Sequence, residues 1–212
     1  MNVRPQKIAP RYESIWMDGD SPLRIYTNKM AEKLQLELGD IECEVGMRYG
    51  NPSIKSALEK LKSKGVEELL LAPLFPHHAQ ATTESSTKEA LLNLSKMNWY
   101  PKISELGHFE DDPAFIDPLV NSIKPYIKDN IHILFSFHGL PVSHVKRSDK
   151  TGTHCQIVDG CCSIKKDANS MCYGHHCNMT VKAVVNKLGI SEKDWSISYL
   201  SLIHISEPTR PY

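Results

Sequence analysis

Apolar positions along this chain change period repeatedly, and each change marks an element. Ser21-Pro22 reads as an N-cap followed by proline in the first helical turn, and Gly39 closes the pattern after Leu38, which predicts a helix over 22–38. Ile41 to Met47 alternates apolar and polar residues as a strand does. Arg48-Tyr49-Gly50 then turns into Asn51-Pro52, a second cap-and-proline pair that predicts a helix over 52–63, ended by Gly65. Glu68 to Leu74 is rich in leucine and is expected to form a strand buried on both faces. Thr83 to Lys96 has helical spacing, with Glu84, Lys88 and Glu89 on its polar side, and Ile103 to Leu106 reads as a short strand. Asp112-Pro113 opens a helix to about residue 128 that Pro118 and Pro125 should kink or split. Ile131 to Phe137 is the clearest strand, bounded by Gly139 and Pro141 with His138 at its end, and Trp195 to Tyr199 is a further strand-like run.

Strands alternating with helices predict an α/β architecture of parallel sheets covered on both faces. Two such units are expected, with a junction near 107–112: an α/β domain over 1–109 and a second over 110–199. The second contains a polar stretch, 143–177, crowded with Cys and His, which reads as a loop organised by something other than apolar burial. The last residues, Leu200 to Pro211 (LSLIHISEPTRP), resemble the translation of a sequencing-library adapter, so 200–212 is set aside as an artefactual tail.

Composition narrows the function. Lys+Arg and Asp+Glu each number 25 in 212 residues, which leaves no basic surplus to drive binding to nucleic acid. With 41% hydrophobic and 24% charged residues, the chain can bury a core. No apolar run approaches the roughly 20 residues of a membrane span, so any membrane contact is expected to be peripheral. The N-terminus lacks the apolar segment of a secretory signal, so a cytoplasmic setting is expected and the six cysteines are read as reduced.

In an open parallel sheet, ligands gather at the carboxyl ends of the strands. Three loops belong there. RYGNP offers Arg48, whose planar fork suits a carboxylate, and Tyr49, whose ring suits a flat ligand. PLFPHHAQATT is a stiff lip with His77, His78, Thr82 and Thr83. SFHGLP delivers His138 to a pocket rim, where an imidazole can take a proton near neutral pH or ligate a divalent metal.

Taken in order, SPLRIYT, MRYGNPSI, PLFPHHAQATT and ILFSFHGLP resemble the ferrochelatases, over nearly all of residues 10–199. The resemblance implies two Rossmann-like, chelatase-type domains and a lyase that inserts ferrous iron into protoporphyrin IX or coproporphyrin in haem biosynthesis. It gives His138 proton removal, delivery of the Fe2+ substrate, or both, and makes Arg48 and Tyr49 candidates for propionate or ring contacts. Phe137 stands where the family commonly has a small residue. The family's opening strand and the later segment bearing its partner glutamate have no counterpart here, so both domains are expected to be incomplete and the piece poorly active. The alternatives weighed are a non-catalytic tetrapyrrole- or metal-binding module and a cobalt chelatase of similar fold.

Five cysteines fall in the pattern C-x5-C-C-x9-C-x4-C: Cys155, Cys161, Cys162, Cys172 and Cys177. Four thiolates hold a [2Fe-2S] cluster or a tetrahedral zinc, and this spacing does not choose between them. His154, His175 and His176 are possible replacements for one thiolate in a zinc site. Some bacterial ferrochelatases carry a [2Fe-2S] cluster in a segment just after the histidine motif, and that resemblance favours iron–sulfur, held by Cys155, one of Cys161 and Cys162, Cys172 and Cys177. Cys43 is expected to be a small core residue.

Overall fold

The computed structural model describes residues 9, 10 and 13–200. All of the expected tail except Leu200 lies outside the described residues. The fold is mixed α/β with two small parallel sheets, in keeping with chelatase-type Rossmann-like domains. The described residues divide into two units, one running up to Leu70 and joined by Ser86–Ser104, the other formed by Leu71–Ser85 and the residues from Glu105 on. The lip at 71–85 thus groups with the second unit.

In the first unit, α1 (Pro22–Leu38) begins where the expected cap stands, with the Ser21 hydroxyl accepting the Arg24 N–H at 3.4 Å and Gly39 at the C-cap. The expected strand over 41–47 does not form. Its one ladder contact is an isolated bridge from Met47 to Ser53, and the Cys43 N–H is taken by the Gln35 side chain at 2.9 Å, because an alternating segment without a neighbouring strand finds other acceptors. Cys43 is therefore half-buried beside α1 and not in a core strand. The next helix, α2 (Ile54–Ser63), starts later than expected, since Ser53 and not Asn51 caps it: the Ser53 hydroxyl accepts the Ser56 N–H at 3.1 Å. Gly46 lets the preceding segment lie against α2; a Cβ there would stand 3.0 Å from the Ile54 Cα.

Strand β1 (Glu68–Leu71) pairs in parallel with β2 (Lys102–Glu105), framed by bonds from Lys102 N–H to Glu67 O (2.8 Å) and from Leu106 N–H to Leu71 O (2.9 Å). The strand stops short of Leu74 because Pro73 has no N–H for the ladder. It is not buried on both faces: Leu69 is buried and Leu70 is 60% exposed, as follows when a two-stranded sheet is covered on one side. A turn of π-helix (Gln80–Glu84) leads into α3 (Ser85–Lys96).

In the second unit, α4 (Pro113–Ile123) is capped by Asp112, whose carboxylate accepts the Ala114 N–H at 2.8 Å, and breaks into a 3-10 turn over Lys124–Tyr126, the two pieces expected from its prolines. Strands β3 (Ile133–His138) and β4 (Trp195–Leu200) pair in parallel from Ile133↔Trp195 to His138↔Leu200. The Cys-rich stretch opens with a short helix, α5 (Val142–Ser148), and ends as α6 (Tyr173–Leu188) begins. Ile116, Val120 and Val184 form a core between α4 and α6, with Phe135 of β3 packed against it.

Candidate functional site

His138 is the last residue of β3, and its imidazole is exposed. Gly139, the next residue, donates its N–H to Leu200 O at 2.6 Å. N–H groups alternate sides along a strand, so the N–H of His138 points away from β4. Tyr173 opens α6, and burial pushes its phenol above the usual range.

Behind this strand end lies a buried histidine network. The His77 ring meets Phe115, Phe137 and Tyr173 edge-on, at centroid distances of 6.5, 5.4 and 5.9 Å. Thr180 spends its one proton on Glu110 O (2.7 Å), so it accepts from His77 Nε2 at 2.8 Å and fixes that tautomer. Burial, reinforced by the His176 ring and opposed by Glu110, lowers the His77 pKa to about 4, so the ring is neutral. His108 and His176 stack at 4.4 Å, and His108 Nδ1 lies 2.6 Å from the buried Glu110 carboxylate. Burial alone would raise Glu110; a backbone N–H and the His108 and His176 rings outweigh it and hold the carboxylate below its ordinary value. Donor atoms of His108, Glu110 and His176 lie within 4.8 Å of one another. Both nitrogens of His176 are already in use, Nδ1 accepting the His78 N–H at 3.1 Å and Nε2 donating to Ser170 O at 2.8 Å, so the trio closes as a hydrogen-bond network.

Among the described residues no three cysteine sulfurs lie within 4.8 Å of one another. Cys161 Sγ and Cys162 Sγ are 3.8 Å apart. Cys177 is completely buried. Cys172 occupies the N-cap of α6: the Cys162 thiol, the N–H groups of His175 and Gly174 and the Ser148 hydroxyl lower its pKa to about 6, in spite of burial. Burial raises Cys177 to about 12. Gly174 is what admits this packing, since a Cβ on it would stand 3.1 Å from Cys162 Sγ.

Around the sulfurs the chain is cross-braced by polar bonds. The Asp149 carboxylate accepts from the N–H groups of Thr151 (2.9 Å), His154 (2.9 Å) and Cys155 (2.8 Å), and Asn169 donates to Cys161 O and Ile164 O, both at 2.8 Å. His154, His175 and His176 each donate to a carbonyl, of Cys161, Cys162 and Ser170 respectively, at 2.8–2.9 Å. The imidazoles beside the cysteines are thus committed to carbonyls, which leaves the thiols as the soft donors of this stretch.

Arg48 and Tyr49 belong to the first unit. Arg48 Nη1 is 3.5 Å from Glu89, its guanidinium lies 4.7 Å from the centre of the Tyr49 ring, and Tyr49 is 76% exposed. In the second unit, a shallow dent of about 10 Å³, about the size of one water, opens between His78, Gln80, Leu140, His144 and Tyr173, beside the HGLP turn, and His138 is not part of its wall. No described helix is long and apolar enough to cross a membrane. Sequence reasoning missed the parts played by His77, Tyr173 and Tyr199. Tyr173 at the start of α6 and Tyr199 beside Phe137 were legible as types, but their ring neighbours were not.

A family model described as Ferrochelatase matches residues 1–212. Over 211 residues the chain is 35% identical to the ferrochelatase of Stutzerimonas stutzeri (strain A1501), covering 99% of this chain and 62% of that protein. Ferrochelatases of Pseudomonas syringae pv. syringae (strain B728a), 33% identical over 210 residues, and of Bdellovibrio bacteriovorus, 35% identical over 206, are covered to 62% and 60% of their own lengths. The chain thus spans about three-fifths of the curated relatives it matches.

Proposed function

The chain belongs to the ferrochelatase family, and on that premise we propose that the complete protein inserts ferrous iron into a porphyrin in haem biosynthesis, with His138 as the reacting side chain. The observation that carries the assignment is an exposed imidazole at the carboxyl end of a parallel strand, within SFHGLP. Metallation exchanges two pyrrole N–H protons for one Fe2+; iron stays ferrous and no electrons move. An imidazole at that position takes up a departing pyrrole proton or holds the incoming ion while it sheds water. Arg48 and Tyr49 are the candidates for contacts with a propionate and with the ring face. Four of Cys155, Cys161, Cys162, Cys172 and Cys177 would hold a [2Fe-2S] cluster, with structural zinc as the alternative. Such a cluster supplies a clamp on the loop and a redox-responsive centre; the reaction does not draw on it for electrons.

The test is made on the full-length protein, expressed without oxygen. His138→Ala is expected to lower the rate of iron uptake by porphyrin by about 100-fold or more. Turnover equal to wild type in that variant would overturn the assignment. An optical spectrum with metal analysis decides what the cysteines hold: a colourless, zinc-containing product removes the iron–sulfur reading.

A further inference from the structure

Arg48 stands at the start of a closed loop. The Met47 N–H donates to Pro52 O at 2.7 Å and Met47 bridges to Ser53, so residues 48–51 leave and re-enter the fold at one point, with Gly50 in the left-handed region at φ 86°. The Arg48 guanidinium has a neighbour on each of two sides: the Tyr49 ring, whose centre is 4.7 Å away, and Glu89 of α3, whose Oε2 lies 3.5 Å from Nη1. The carboxylate is itself braced. Glu89 Oε1 accepts from Asn93 Nδ2 at 2.9 Å, and the same amide nitrogen donates to Glu89 O at 2.8 Å, so both of its hydrogens go to the residue one turn earlier. Asn93 is buried, which makes it a fixed post, whereas the Arg48 and Glu89 side chains each keep 32% of their surface in solvent.

We propose that Glu89, braced by Asn93, is a positioning residue for Arg48 and sets its guanidinium against the Tyr49 ring before a porphyrin arrives. This rests on reading Arg48 and Tyr49 as the contacts to a propionate and to the ring face. An arginine fork gives two parallel N–H bonds to a carboxylate only when its plane is already turned to it, and a long side chain ordered in the empty protein loses less freedom on binding. Glu89 also offsets part of the Arg48 charge. Solvent damps that field at a half-exposed pair, so removing Glu89 costs more in orientation than it returns in charge.

The experiment uses the full-length protein with 15N-labelled arginine, read first without porphyrin. In the wild type the Arg48 Nε–H signal is expected to be rigid on the nanosecond scale, and Glu89→Ala should make it mobile. Glu89→Gln, which keeps an oxygen for Asn93, should do the same and decides alone if Glu89→Ala does not fold. A metal-free porphyrin dicarboxylate and its dimethyl ester are then titrated. The preference for the acid should fall about threefold in Glu89→Ala, the size of a half-exposed ion pair, and further in Arg48→Ala, with the double variant no weaker than Arg48→Ala. A merely structural role for Glu89 would weaken both porphyrins alike. The proposal is overturned by an Arg48 signal as rigid in the variants as in the wild type, or by an acid preference lost in Arg48→Ala but intact in Glu89→Ala. Full acid preference in Arg48→Ala would instead remove the propionate reading of Arg48, and the Nε–H signal would then decide the role of Glu89.

Discussion

Helices α1 and α6 are nearly equal in length, 17 and 16 residues, and are held by opposite means. At its ends α1 has what a helix asks for: a serine cap, a proline in the first turn and a glycine at the close. Yet none of its residues is buried, and Leu23, Tyr26, Met30 and Leu34 are 44–67% exposed. The start of α6 has no side-chain cap hydrogen bond, only the Cys172 sulfur, but seven of its residues are buried, including His175, His176 and Cys177. The difference separates two jobs. Caps decide where a helix begins, at about 1 kcal/mol each, whereas burial decides what it is worth to the fold and whether its side chains can be held for chemistry.

Substitution should sharpen this contrast most where α4 meets α6. Ile116, fully buried against Val184, is expected to cost about 3 kcal/mol of unfolding free energy as Ile116→Ala, while Leu23→Ala on α1 should stay within about 0.5 kcal/mol. Urea denaturation of both variants checks this, and equal losses would erase the distinction.

Next in size is the polar anchor of α6. His77, bound to Thr180, titrates near 4 when folded against 6.5 unfolded, so between these values the unfolded chain binds the extra proton and stability rises with pH. The contribution is complete above about pH 6.5 and is lost on acidification toward pH 4, by at most on the order of 3 kcal/mol. Melting temperatures over that window should fall less steeply for His77→Gln. Burial lowers His176 as well, so some slope should remain. An unchanged slope in His77→Gln would remove His77 from this role.

Smallest is the cap of α1. Ser21→Ala should cost about 1 kcal/mol and speed hydrogen exchange in the first turn of α1, with α6 amides unaffected. Exchange that rises in both helices would show that α1 is tied to the fold by more than its caps.

The same contrast explains what was legible beforehand. Helix starts at Pro22 and Pro113 matched their local signals, since a cap and a proline act within one turn. The segment Ile41–Met47 misled because alternation reports a half-buried extended chain and not the neighbour it needs to become a strand. The cysteine spacing raised the expectation of a four-thiolate site; Cys161 and Cys162 stand 3.8 Å apart, and among the described residues no three sulfurs lie within 4.8 Å of one another.

By itself the sequence determined where the helices at Pro22 and Pro113 start, which residues could act as acid, base or soft ligand, and that His138 ends an apolar strand, because these follow from contacts within a few residues of one another. Only the tertiary structure decided which of those groups meet. Thr180 of α6 meets His77 from 103 positions along the chain, and His176 takes the N–H of His78 from 98, because the burial of α6 brings distant residues within hydrogen-bond range.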